Sequence, residues 1–305
     1  MAVECRDVWM IYKNFMEKGF VALSGVDVEI EEGELYGILG PNGAGKTTLI
    51  SIMSTILVPT KGDVKVLGMD AFNETKKVRE RINIASGIRL PWGMRVYECL
   101  KFYALCYGIS DRRVIEKLLQ DFELEKYRNV RFDELSAGNK QKLNLARAFI
   151  NNPEVVFLDE PTANLDPDVA KRIREIILNI KKEKDVTIVL TTHNMKEAEM
   201  LCDRIAFMKN GKIVAEGSAE FLKRFVKSKE KIFVTLKNNN DKKALKLSHP
   251  YEIKDNKVVV YVESAEKSLA EVLFSIKSAG LEIESVKTEE ITLEDVFVEL
   301  AKSRQ

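Results

Sequence analysis

Gly40-Pro41-Asn42-Gly43-Ala44-Gly45-Lys46-Thr47-Thr48 is the stretch that decides the fold of this 305-residue chain. It satisfies the pattern G-x-x-x-x-G-K-[ST], and its flanks suit it: Leu35 to Leu39 reads as a buried strand and residues 49–57 as an apolar helix. Glycines at 40, 43 and 45 let the backbone take positive φ and approach a ligand with no Cβ in the way. Successive N–H groups then line a concavity at the positive end of the following helix, which makes a phosphate site. In such a loop Lys46 reaches the β- and γ-phosphates, and the Thr47 hydroxyl is a ligand for Mg²⁺. The sequence therefore implies a bound nucleoside triphosphate.

Downstream motifs sharpen this. Leu135-Ser136-Ala137-Gly138-Asn139 precedes an amphipathic helix with Leu143, Ala146, Arg147 and Ile150 at helical spacing. Pro153 breaks the chain, and Val155-Val156-Phe157-Leu158 reads as a buried strand ending in Asp159-Glu160-Pro161-Thr162. A loop over residues 163–166, a second helix, a strand from Val186 to Leu190 and Thr191-Thr192-His193 follow. In this order and spacing the motifs resemble the nucleotide-binding subunits of ATP-binding cassette (ABC) transporters. The ending Thr292-Leu293-Glu294-Asp295-Val296-Phe297 resembles the drug and small-molecule exporter branch, whose permease is a separate chain. The main resemblance spans about residues 2–226. It implies an α/β fold: a P-loop NTPase cassette, with a mixed β core, helices and a helical subdomain, followed by a small α+β domain. The expected division is a cassette over 1–226, its helical subdomain over about 88–150, and an accessory domain over 227–305.

The chemistry follows residue by residue. Asp159 stands at the C-terminal end of a parallel strand, where open α/β sheets bind ligands, and with Thr47 it is expected to hold Mg²⁺. Glu160 is free to polarise the attacking water, a role that contributes roughly 10² to 10⁴ in rate. By the resemblance, His193 contacts the γ-phosphate, and Lys46 completes the catalytic set with Glu160 and His193. The nucleotide contacts comprise Gly40, Pro41, Asn42, Gly43, Ala44, Gly45, Lys46, Thr47 and Thr48, with Tyr12 stacking on adenine. Phe15 and Phe20 offer the same π face. Ser136 and Gly138 open a helix and so form a second anion site. The resemblance assigns that site to the nucleotide of a second copy of the chain, two copies clamping two ATP between them.

Two departures stand out. Between the phosphate loop and Ser136 the family carries a glutamine that reaches the metal and the water. The run Ile82-Asn83-Ile84-Ala85-Ser86-Gly87-Ile88-Arg89 has none; Gly87 or Ile88 takes its place, with Ser86 the nearest polar substitute. Slower hydrolysis or altered coupling is expected, with ATP binding kept. Ala137 and Asn139 also replace the residues usual in the signature.

Composition bounds the rest. A formal net charge of +1 gives no global attraction to nucleic acid, and none is expected as partner. The four cysteines make no metal or C-x-x-C spacing, which fits free thiols in a reducing cytoplasm. No apolar run approaches the ~18 to 20 residues that span a bilayer. By the resemblance, the expected partners are a second copy and a separate transmembrane permease, at the cytoplasmic face of the membrane. Trp92 and Met94 are expected either to line the groove for that permease or to fold onto the chain's own core. After Phe225 the sequence becomes lysine-rich. Strands over residues 232–236 and 258–262, a helix over 264–279 stopped by Gly280, a strand over 281–286 and a helix capped by Thr292 make the small domain. Two other functions remain open: a soluble cassette ATPase acting on ribosomes or DNA, and a regulatory ATP binder with weak turnover. A single phosphate loop and the lack of a heptad array disfavour the first.

Overall fold

The computed structural model describes residues 1–14, 17–87, 93–224, 230–237, 245, 247–289 and 291–302. They form two compact units, Met1–Ala219 and Glu220–Gln305.

In the first unit β1 (Val3–Asn14) and β2 (Glu17–Ile30) make a long antiparallel pair, before β3 (Leu35–Leu39) runs into the glycine loop and α1 (Lys46–Met53). β4 (Lys61–Val66) and β5 (Met69–Asp70) return to the first pair, giving a four-stranded sheet in the order 2-1-4-5. Next come α2 (Thr75–Arg81), β6 (Ile82–Ala85), α3 (Val96–Cys106), α4 (Arg112–Asp121) and α5 (Ala137–Ala148). The unit closes with β7 (Val155–Asp159), α6 (Pro167–Lys184), β8 (Thr187–Thr192), α7 (Met195–Leu201), β9 (Arg204–Lys209), β10 (Lys212–Gly217) and the start of a short α8 (Ala219–Lys223). β10-β9-β3-β8-β7-β6 form a second sheet, parallel except for the β10 edge.

Both faces of that parallel sheet are covered, which is why its strands read as unbroken apolar runs. Alternate residues point to opposite sides: Leu35, Val156, Leu158, Ile188 and Leu190 join the core shared with α3, α4, α5 and α6. Tyr36, Ile38, Val155, Phe157 and Val189 join the core shared with α1 and the antiparallel sheet. Each such side chain contributes roughly 1.5–3 kcal/mol on burial. Sheet order has a chemical consequence. β3, β8, β7 and β6 are successive neighbours, so their C-terminal ends present the glycine loop, His193, Asp159-Glu160 and Ser86 side by side. The segment between β6 and β7 leaves the sheet as a helical excursion and returns to the adjacent strand, with Ile82 opposite Val155.

The second unit pairs β11 (Glu230–Leu236), β12 (Tyr251–Lys254), β13 (Lys257–Val262) and β14 (Ile283–Glu289) in an antiparallel sheet ordered 12-13-11-14. α9 (Ala265–Ser278) lays Val272 and Ile276 on Ile232, Val234, Val258 and Val260. Ser264 caps α9, and Gly280 turns the chain out of it at φ 77°. Thr292 and Asp295 exchange hydrogen bonds at the start of α10 (Leu293–Lys302), as a capping box does. β12 is absent from the sequence expectation. Trp92 lies outside the described residues, whereas Met94 is half-buried and packs on the first unit's core.

Candidate active site

The glycine loop is shaped by what surrounds it. Gly45 sits at φ 105°, and a Cβ there would lie 2.7 Å from the Ala22 carbonyl oxygen, so no other residue fits. The loop directs Lys46 inward, with only 5% of it exposed. Its Nζ donates to the carbonyls of Gly40 (2.7 Å) and Pro41 (3.2 Å) and lies 3.3 Å from Glu160 Oε1. An open cleft of about 530 Å³ runs along the loop. Asn42, Gly43, Gly45, Lys46, Thr47 and Thr48 line it together with Glu160, Ala163, Asn164 and His193 and with Tyr12, Phe20 and Ala22 of the β1–β2 pair. Of the remaining expected nucleotide contacts, Gly40 and Pro41 contribute carbonyls to Lys46, and Ala44 is buried in the core.

Asp159 is a meeting point for hydroxyls. Thr191 Oγ1 donates to its Oδ1 at 2.7 Å, Thr47 Oγ1 to the same oxygen at 3.2 Å, and Ser86 Oγ to Oδ2 at 3.0 Å. Among the described residues no group of three or more His, Cys, Asp or Glu side chains could hold a metal. A hard carboxylate and hydroxyl facing a phosphate loop nevertheless suit Mg²⁺, which keeps waters and takes one or two protein oxygens beside substrate phosphates. Asp159 and Thr47 are therefore the residues that fit it.

Glu160 occupies a costly backbone conformation, φ 52°, which is rare outside glycine and worth about 1–3 kcal/mol of strain. Several bonds hold this turn. The Glu160 N–H donates to the Thr191 carbonyl (3.1 Å) and Oγ1 (3.0 Å). Gln141 Nε2, buried in α5, donates to Pro161 O at 2.9 Å. Thr162 Oγ1 donates to Glu197. The turn aims the Glu160 side chain at the loop, where its Oε2 lies 2.6 Å from His193 Nδ1. Lys46, Glu160 and His193 thus form one linked set.

Ser136 and Gly138 are not part of this cleft. Ser136 is exposed and caps α5, accepting from the Asn139 N–H at 3.4 Å. Gly138 is buried, and a Cβ there would fall 2.4 Å from Val169 Cγ1 of α6. Thr191, Gln141, Thr162 and Glu197 carry structure that the sequence did not disclose. The one available signal is Gln141, a polar residue on the buried stripe of α5 with Leu145 and Ala148.

Residues 23–163 match the family described as ABC transporter. The "probable multidrug ABC transporter ATP-binding protein YbhF" of Escherichia coli is 39% identical over 208 residues, which is 67% of this chain and 36% of that protein. The chain thus spans about a third of that relative's length. The "daunorubicin resistance ATP-binding protein DrrA3" of Streptomyces coeruleorubidus is 32% identical over 288 residues, 92% of this chain and 90% of that one. A dimeric, post-hydrolysis structure of the ATP-binding cassette MJ0796 bound to ADP and Pi superposes with a TM-score of 0.66 at 28% identity. It covers 71% of this chain and 98% of that one.

Proposed function

Since the chain belongs to the ABC transporter family, we propose that it binds and hydrolyses ATP as the motor subunit of a transporter, and that the transporter is an exporter. The observation that carries this is the convergence at one glycine loop of Thr47 from α1, Asp159 and Glu160 from the end of β7 and His193 from the end of β8. Bound Mg²⁺ would neutralise charge on the phosphates. Lys46 binds the β- and γ-phosphates, and the loop N–H groups orient them. Glu160 takes up a proton as the water oxygen bonds to the γ-phosphorus; the bond from that phosphorus to the β–γ bridging oxygen breaks, releasing ADP and phosphate. His193 Nδ1 is engaged by Glu160, which leaves Nε2 for a γ-phosphate oxygen.

Tyr12, which lines the cleft, stacks on the base, with Phe20 opposite it in the β1–β2 register. Ser136 and Gly138 serve the nucleotide of a second copy, which accounts for their place outside this chain's own cleft. The relatives named for drug handling support export, and "ATP-binding protein" in their names supports a permease on a separate polypeptide. Among the described residues no helix is long and apolar enough to cross a membrane. The subunit then works peripherally, on the cytoplasmic face. Residues 1–226 make the motor, with the helical subdomain over about 88–150, and 227–305 an accessory domain.

Steady-state ATPase with Glu160→Gln as comparison tests the proposal. The variant retains ATP and accumulates as a dimer on size exclusion; hydrolysis at the parental rate refutes the role of Glu160. The lack of the family glutamine, with Gly87 or Ile88 in its place and Ser86 the nearest polar substitute, favours a second reading, an ATP binder with vestigial turnover. Parental turnover indistinguishable from the rate without protein, with ATP still bound, would establish it.

A further inference from the structure

Glu197 is a carboxylate where burial should disfavour one. It is 1% exposed, yet it lies in α7 beside the two loops that carry the chemistry. Each oxygen is taken by a hydroxyl from a different loop. Thr162 Oγ1, two residues after Glu160, donates to Oε1 at 2.5 Å. Thr192 Oγ1, one residue before His193, donates to Oε2 at 2.6 Å. Thr192 Oγ1 also accepts the Asn194 N–H (3.0 Å), so the strand end, the His193 turn and the first turn of α7 are tied through one oxygen. Burying a carboxylate is costly unless its bonds are satisfied, and apolar residues of similar volume are often as stable or more so. A carboxylate kept here therefore points to a geometric task.

We propose that Glu197 is a positioning residue for ATP hydrolysis, clamping the Glu160 turn to the His193 turn so that both side chains meet the same phosphate. This rests on the ATPase reading given above. Glu197 touches neither Lys46 nor the cleft; it acts through Thr162 and Thr192. The Glu160 turn is strained and stays in place only where its surroundings fix it. Releasing one of its ties lets Glu160 and His193 drift apart while the glycine loop, and hence ATP affinity, stays as it was.

The test uses the full chain. Glu197→Ala removes both acceptors, and Glu197→Gln leaves one carbonyl oxygen for two donors. Thr162→Val and Thr192→Val each remove a donor without touching the carboxylate, which keeps the test available if Glu197→Ala does not fold. Steady-state kinetics should show kcat reduced about ten- to hundred-fold, the effect of a small misplacement, with KM for ATP changed by less than about twofold. The threonine effects on kcat should largely vanish in the Glu197→Ala background, since all three residues act as one unit. The inference is overturned if folded variants keep the parental kcat, if kcat and ATP affinity fall together, or if the threonine and glutamate effects multiply independently. A parent that fails to hydrolyse ATP overturns the ATPase reading as well; an active parent with unaffected variants overturns only the role of Glu197.

Discussion

Ser86→Ala is the substitution that most directly probes the missing glutamine. Asp159 receives three hydroxyl bonds, of 2.7, 3.0 and 3.2 Å, and Ser86 supplies the only one to Oδ2 among the described residues. A hydrogen bond to a charged group contributes about 1.5–3 kcal/mol. Ser86 is half-buried, and its bond is longer than that from Thr191, so the low end applies. About 1.4 kcal/mol is tenfold in an equilibrium constant, and lost partners of a metal-holding carboxylate cost roughly 10–100-fold in affinity or activity. The half-saturating Mg²⁺ concentration for ATP hydrolysis should therefore rise about tenfold, read by titrating Mg²⁺ at fixed ATP. Binding of a fluorescent ATP analogue in EDTA should not change, because the glycine loop is untouched. An unaltered Mg²⁺ requirement, or an equal loss of affinity in EDTA, would refute the assignment of Ser86 as the support of Asp159.

Other consequences are open to simple assays. Gly138→Ala should lower stability by about 1–3 kcal/mol through overpacking, outweighing the roughly 1 kcal/mol that alanine gains in a helix; Val169→Ala should restore the loss in a thermal melt, since Val169 Cγ1 is what the new methyl meets. Arg172 and Lys142 hold Glu123 down to about 2 from an ordinary 4.5. A depressed carboxylate stabilises the fold above its unfolded value, so the Tm advantage of the parent over Glu123→Gln should be full above pH 4.5 and shrink as pH falls toward 2. Burial pushes the Cys5 thiol up to about 12 and Cys99 to about 11, and raises Cys202 as well. Exposed Cys106 should thus be the one thiol that an aromatic disulfide reagent titrates quickly at pH 8 in the native protein, and Cys106→Ser should abolish the fast phase.

The glycine loop, the Asp159-Glu160 strand end and His193 were legible because each is a local word: a turn that needs glycine, or a polar group closing an apolar run. Strand limits were less so. The sequence suggests a strand ending near Val8, whereas β1 continues to Asn14 and carries Tyr12 within it. Register shifts after Cys5, Val8 and Met10 break the alternation that would have announced the continuation. β12 escaped notice because it is a short edge strand whose inward Tyr251 and Ile253 are only half-buried. Glu197 was illegible for a different reason. Nothing in its neighbourhood marks it as buried, and one of its partners lies 35 residues away.

The helical excursion between β6 and β7 begins and ends on adjacent strands of one ladder. α5, which returns the chain to β7, is packed into the core behind that sheet through Leu143, Leu145, Ala146 and Ala148. It carries Ser136 and Gln141, and Gln141 reaches the turn after Glu160. On the function proposed above, a shift of α5 that turned Ser136 toward a second copy would be felt through Gln141 by the strained turn that holds Glu160.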